Sequence, residues 1–72
     1  SPGNYASQNG IVCQETIARK GMGTEYAPAF DRPLRDGAEF EVLQRTSHWT
    51  LGRFPGVGDG WISSDSVVGT AF

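Results

Sequence analysis

The side chains that could do chemistry in this chain are few and dispersed. His48 is the only histidine and Cys13 the only cysteine, while Ser47, Ser63, Ser64 and Ser66 offer hydroxyls. Nucleophilic catalysis needs a base within hydrogen-bond reach of the nucleophile and a third group to orient it. His48 stands in "RTSHWT", read as an exposed turn, with no such partner implied by spacing. Cys13 lies among Ile11, Val12 and Ile17 and reads as a small buried hydrophobe, in a setting that would raise a thiol pKa. Glu39 and Glu41 share one strand face beside polar neighbours and read as solvated charges, not as the carboxylate pair of a glycosidase cleft. No catalytic residue is assigned, and the chain is not read as an enzyme.

Ligand-cradling loops fare no better. "GMGTEY" puts Tyr26 where a dinucleotide fingerprint has its third glycine, and "GVGDGW" runs into strand-like residues. Phosphate loops require a helix N-terminus, so both sequences lack the element that would bind the anion. In "DGWISSD", bulky Trp61 and Ile62 stand where a calcium loop needs further oxygen ligands. One Cys and one His far apart do not make a zinc site. Neither metal nor cofactor is expected.

What remains is a surface for recognition. Tyr26, Phe30, Trp49, Phe54 and Trp61 give a small chain many large contact groups. Tyr26 and Phe30 are expected on an exposed loop, whereas Trp49 and Trp61 suit either core or groove. Glu25, Asp31 and Asp59 would suit amines on a ligand, and Arg32 and Arg35 a carboxylate. The same charges are also ordinary for solvated loops.

The elements that must position these groups are short. The chain has 72 residues, of which 38% are apolar, with ten glycines and four prolines. That suits one thin-cored domain of short strands and tight turns. Net charge is −2, and the only adjacent basic pair is Arg19–Lys20, so no concentrated positive surface for nucleic acid is present. No apolar run is long enough to insert in a membrane as a helix.

Residues 1–10 read as a disordered or linker lead-in, and 11–72 as the domain. "IVCQETIAR" is a candidate first strand with Ile11, Cys13 and Ile17 in phase. A long irregular loop follows from Lys20 to Gly37, with apolar residues of its own. "AEFEVLQRT" alternates Phe40 and Val42 against Glu39 and Glu41 and is the clearest strand. "HWTLGRF" is another, with Trp49 and Leu51 on one face and Thr50 on the other. "PGVGDG" is a turn leading into "WISS", and "SDSV" can form one tight helical turn before a last strand, "VVGTAF". The fold class is all-β, with about five short strands expected to close into a small barrel.

The ordered set Arg19, Gly21–Gly23, Thr24, Tyr26, Leu34–Gly37, Phe40–Val42–Leu43, Trp49, then Gly60–Trp61–Ile62–Ser63 and Val67 resembles the bacterial SH3-like (SH3b) domain family. The resemblance spans roughly residues 16–68. Ile17 replaces the family's asparagine before the arginine, and Met22 the proline of its glycine turn. It implies an SH3-like barrel and a non-catalytic module. Such a module holds a linked protein at the cell wall, outside the cytoplasm, by binding peptidoglycan or its peptides. The ligand residues expected are Tyr26, Phe30, Trp49, Trp61, Glu25 and Arg32. A module that docks a partner protein domain or subunit is the alternative.

Overall fold

The computed structural model describes residues 8–69. Within them lie strands β1 (Asn9–Val12), β2 (Glu39–Arg45), β3 (Trp49–Phe54), β4 (Gly58–Ser63) and β5 (Val67–Gly69), with a 3₁₀ turn at Ser64–Ser66 before the last. They form one antiparallel sheet in the order β4-β3-β2-β1-β5. The expected all-β class and the helical turn in "SDSV" are therefore present.

Closure is not reached. β4 and β5 are the two edges, and the outer edge of β4 meets only an isolated bridge, in which Arg19 and Trp61 exchange main-chain hydrogen bonds of 2.7 and 2.8 Å. The expected lead-in falls mostly on residues 1–7, outside those described, while Asn9 and Gly10 belong to β1.

Turn chemistry sets the hairpins. Val57 N–H donates to the Phe54 carbonyl at 2.9 Å, and Gly56, third of those four residues, has φ +75°. With Pro55 ahead of it, this is a type II turn. Ala38 N–H reaches the Arg35 carbonyl at 3.0 Å around Gly37, whose φ is +94°. That turn ends the long loop and delivers β2. The loop is itself pinned as a folded-back arm by bridges at Thr16–Leu34 and Arg19–Pro28.

The core face of β1 runs in the opposite phase to that expected, while β3 alternates as expected. Val12 and Gly10 point inward in β1, leaving Cys13 and Ile17 exposed. In β3 the inward residues are Thr50, Gly52 and Phe54, while Trp49 and Leu51 lie half-buried on the outer face. The first strand also stops at Val12, short of the nine residues expected, and resumes only as single bridges at Thr16 and Arg19.

Packing explains which faces turn inward. The rings of Phe30, Phe54 and Phe40 form a run, with centroids 5.8 Å apart edge-on for the first pair and 4.7 Å apart for the second. Space for it comes from glycines. A Cβ on Gly52 would lie 2.5 Å from Phe40 Cδ2 and 2.9 Å from Phe54 Cε1, and one on Gly10 2.6 Å from Phe40 Cζ. Gly60, directly across from Gly52, admits Ala18 from the chain leaving β1 and Ala29 and Phe30 from the arm.

Buried Thr50 is satisfied through the Ser64 hydroxyl at 2.8 Å, and Ser64 Oγ donates to the Thr46 carbonyl at 3.0 Å. Among the described residues no buried side-chain nitrogen or oxygen lacks a partner. Overpacking a dense core costs ~1–3 kcal/mol. Gly52→Ala should therefore lower the unfolding free energy by about that amount, read from the urea midpoint at unchanged m-value; an unshifted midpoint would disprove the tight lane.

Candidate functional site

Several shallow grooves line the described surface, and three of them bear on the candidate residues or their charges. The first, of about 410 Å³, opens where the chain leaving β1 runs beside the end of β4. Glu15, Ile17 and Arg19 come from the chain leaving β1, Trp49 and Ser63 from β3 and β4, and Thr24 and Pro33 from the arm.

The local backbone dictates which side chains face it. Thr16 exchanges main-chain hydrogen bonds with buried Leu34 at 3.1 and 2.8 Å, and Ala18 is buried. In an extended segment successive residues alternate, so Glu15, Ile17 and Arg19 turn outward together. Ile17 is 43% exposed, a large apolar side chain held open to solvent. On the sheet side, Trp49 lies opposite Ser63, and Trp61 opposite Leu51, all on the outer face. Arg19 Nη1 donates to the Tyr26 carbonyl at 3.2 Å, which ties the arm to the groove and leaves its other guanidinium donors for a ligand. Ser63 Oγ accepts from Asp65 N–H at 3.3 Å, so its own proton can be donated outward.

The second groove, about 500 Å³, is formed by Phe30, Asp31, Arg32 and Leu34 of the arm with Gly56 and Val57 of the β3–β4 turn. Pro33 borders it and the first groove alike. The third, about 410 Å³, lies at the other end of the sheet between Asn9, Glu39, Glu41, Arg53 and Pro55, over Phe40. There Arg53 forms a two-pronged pair with Asp59 at 3.1 and 3.4 Å. That hydrogen bonding and charge, with a smaller contribution from Glu41, raise the Arg53 pKa above its ordinary value. A raised arginine pKa adds stability that is present below the ordinary value and lost only as pH climbs through the folded one. The whole neutral range is therefore unaffected.

The expected ligand residues are not gathered in one place. Trp49 faces the first groove, and Phe30 and Arg32 the second. Phe30 is half-buried against the core rather than displayed on a loop. Tyr26 is 47% exposed, but its ring lies over Gly21, and the Glu25 carboxylate folds over Gly23. Neither lines any of the three grooves, and nor does Trp61, held by Arg19 and half-buried. Apart from Trp49, none of the residues lining the first groove, Glu15, Ile17 and Arg19 among them, was foreseen as a ligand residue. Only a knowledge of which residues pair with Leu34 would have shown that 15 and 17 face outward.

The other candidate groups are placed plainly. His48 Nδ1 lies 3.1 Å from the neighbouring Ser47 hydroxyl, both exposed on the β2–β3 turn. Among the described residues no cluster of three or more His, Cys, Asp or Glu could hold a metal ion, and no helix is long and apolar enough to cross a membrane. Cys13, expected to be buried, is exposed, its Sγ 3.7 Å from the Asp65 carbonyl. One equivalent of a thiol reagent should therefore react with the native protein at a rate close to that of the unfolded chain. A requirement for denaturant would place the thiol inside. Comparison of the chain with protein-family models, curated proteins and solved structures finds no match.

Proposed function

We propose that this chain is a non-catalytic SH3-like binding module, which tethers a linked protein to the bacterial cell wall through the peptides of peptidoglycan, outside the cytoplasm. The fold is consistent with an SH3-like barrel in several respects. β2, β3 and β4 are consecutive hairpins, a 3₁₀ turn precedes the last strand, and a long folded-back arm follows the first.

The observation that carries the reading is the first groove. Ile17, Pro33 and Trp49 offer an apolar platform, flanked by the Glu15 carboxylate and the Arg19 guanidinium. Wall peptides carry both free amines and carboxylates beside small apolar side chains, so each feature of the groove has a counterpart. Half-exposed tryptophan supplies contact area at little conformational cost. Tethering by even a weak site raises the concentration of a linked protein at its target.

The test is an NMR titration of the ¹⁵N-labelled chain with solubilised peptidoglycan fragments. Saturable shifts are expected at the Trp49 indole and the amides of Glu15–Arg19, and Trp49→Ala should weaken binding at least about tenfold. Absence of shifts at millimolar fragment would overturn wall targeting. Docking of a partner protein domain would then be the better reading, with Met22 and Val57, 50% and 55% exposed, as its first contacts.

A further inference from the structure

The two tryptophans share the outer face of the sheet. Trp49 faces the first groove, and Trp61 lies beside that groove, half-buried and outside its lining. Pairing puts Trp61 in a row that crosses the face: Gln44 opposite Leu51, Leu51 opposite Trp61, and Trp61 opposite Arg19. Residues directly opposite point to the same side, so the row has an apolar middle and a polar group at each end. The Trp49–Ser63 pair flanks it on one side and the Arg53–Asp59 ion pair on the other. Trp49 stands diagonally from Trp61, about 7–8 Å away between backbones. Both indoles keep an unused polar end. Among the described residues neither Nε1–H has a hydrogen-bond partner, and neither ring stacks on another ring or on a guanidinium. No buried side-chain nitrogen there lacks a partner, so both N–H groups are open to solvent. The Gln44 amide is free as well, and Arg19 spends one guanidinium donor on the Tyr26 carbonyl.

Size and charge narrow the occupant. With strands ~4.8 Å apart, the apolar middle covers on the order of 100–200 Å², whereas a stable protein interface takes ~800 Å² from each partner. A second copy of the chain finds too little there to hold. A sugar ring fits. One of its faces carries C–H bonds polarised by neighbouring oxygens, which sit well on the negative face of an indole. Its rim of hydroxyls needs donors and acceptors around the edge, and no net charge is required, since Asp59 offsets Arg53. We infer that this face is a saccharide platform, on which Trp61 and Leu51 take an N-acetylated pyranose of the wall glycan while the peptide joined to that sugar runs past Trp49 into the groove. This rests on the wall-peptide reading of the groove and extends the ligand to the junction of sugar and peptide. Gln44 and the indole N–H groups suit the acetamido group and hydroxyls, and Trp49 stands where the two parts of the ligand meet.

The experiment titrates the ¹⁵N-labelled full chain with the β-1,4-linked N-acetylglucosamine tetramer, with a free wall tetrapeptide, and with a disaccharide–tetrapeptide fragment. The sugar tetramer is expected to shift the Trp61 indole and the Leu51 amide, its own ring protons moving upfield over the indole. The joined fragment should bind at least about tenfold tighter than either part, because one half presents the other at high effective concentration. Trp61→Leu keeps an apolar side chain in the row without a π face. It should weaken the sugar tetramer roughly fivefold, in a variant whose remaining amide spectrum stays native. A tetramer that leaves Trp61 unmoved, or a joined fragment no tighter than its better half, would overturn the platform, and the groove reading would survive if the tetrapeptide still binds. Movement of the Trp61 signal with protein concentration alone would overturn it too, by giving the face to a second copy. Failure of the tetrapeptide and the joined fragment together would remove the underlying reading as well.

Discussion

The absence of side chains at three inward positions is the constraint on which the rest depends. Gly10, Gly52 and Gly60 leave a lane across the sheet, and the rings of Phe40, Phe54 and Phe30 occupy it. A thin sheet with few residues gains most by filling its inner face with large flat groups. Aromatic pairs in tilted or edge-on contact contribute ~0.5–1.5 kcal/mol beyond their burial. Because Phe30 belongs to the arm and Phe54 to β3, the same contact that builds the core also fixes the arm. The arm in turn holds Leu34 against Thr16, and so decides which way Glu15 and Ile17 face. The groove is thus a downstream product of the glycine lane.

Much of this architecture was legible in the residues. The alternation around Phe40, the Pro-Gly turn and the tight turn before Val67 each identify an element from local chemistry alone. The phase of β1 was not legible, nor which face of β3 turns inward, for one physical reason. Apolar bulk was taken to mark the inward face of β1, and Trp49 of β3 was left to suit either core or groove. In β3 the inward Gly52 is small because the rings of Phe40 and Phe54 fill the space above it. Gly60 then reads as part of the turn "PGVGDG" in the sequence, although it sits in the ladder across from Gly52. Thr50 is fully buried yet polar, and only its link through Ser64 to the Thr46 carbonyl makes that tolerable.

The candidate site divides along the same line. Trp49 was recognisable as a large amphipathic group near a strand start, and it does face a groove. Tyr26 and Glu25 carried the right residue types for recognition, but both fold back over glycines of their own loop. Glu15 and Ile17 carried no signal, because their role depends on main-chain direction. That direction is set by a pairing with Leu34, eighteen residues beyond Thr16. Residue type alone cannot report a long-range register, so a groove lined by Glu15 and Ile17 is the kind of site a sequence conceals.

The pairing of β1 with β5 places Gly10 directly across from Gly69, with Cα atoms about 5 Å apart. The chain therefore enters and leaves the sheet side by side, on neighbouring strands. Such a unit can be spliced into a surface turn of another protein without prising that turn open, as closely spaced ends allow. It can equally be cut elsewhere and rejoined at this seam with a short linker. The geometry that makes β1 and β5 neighbours makes the whole unit portable.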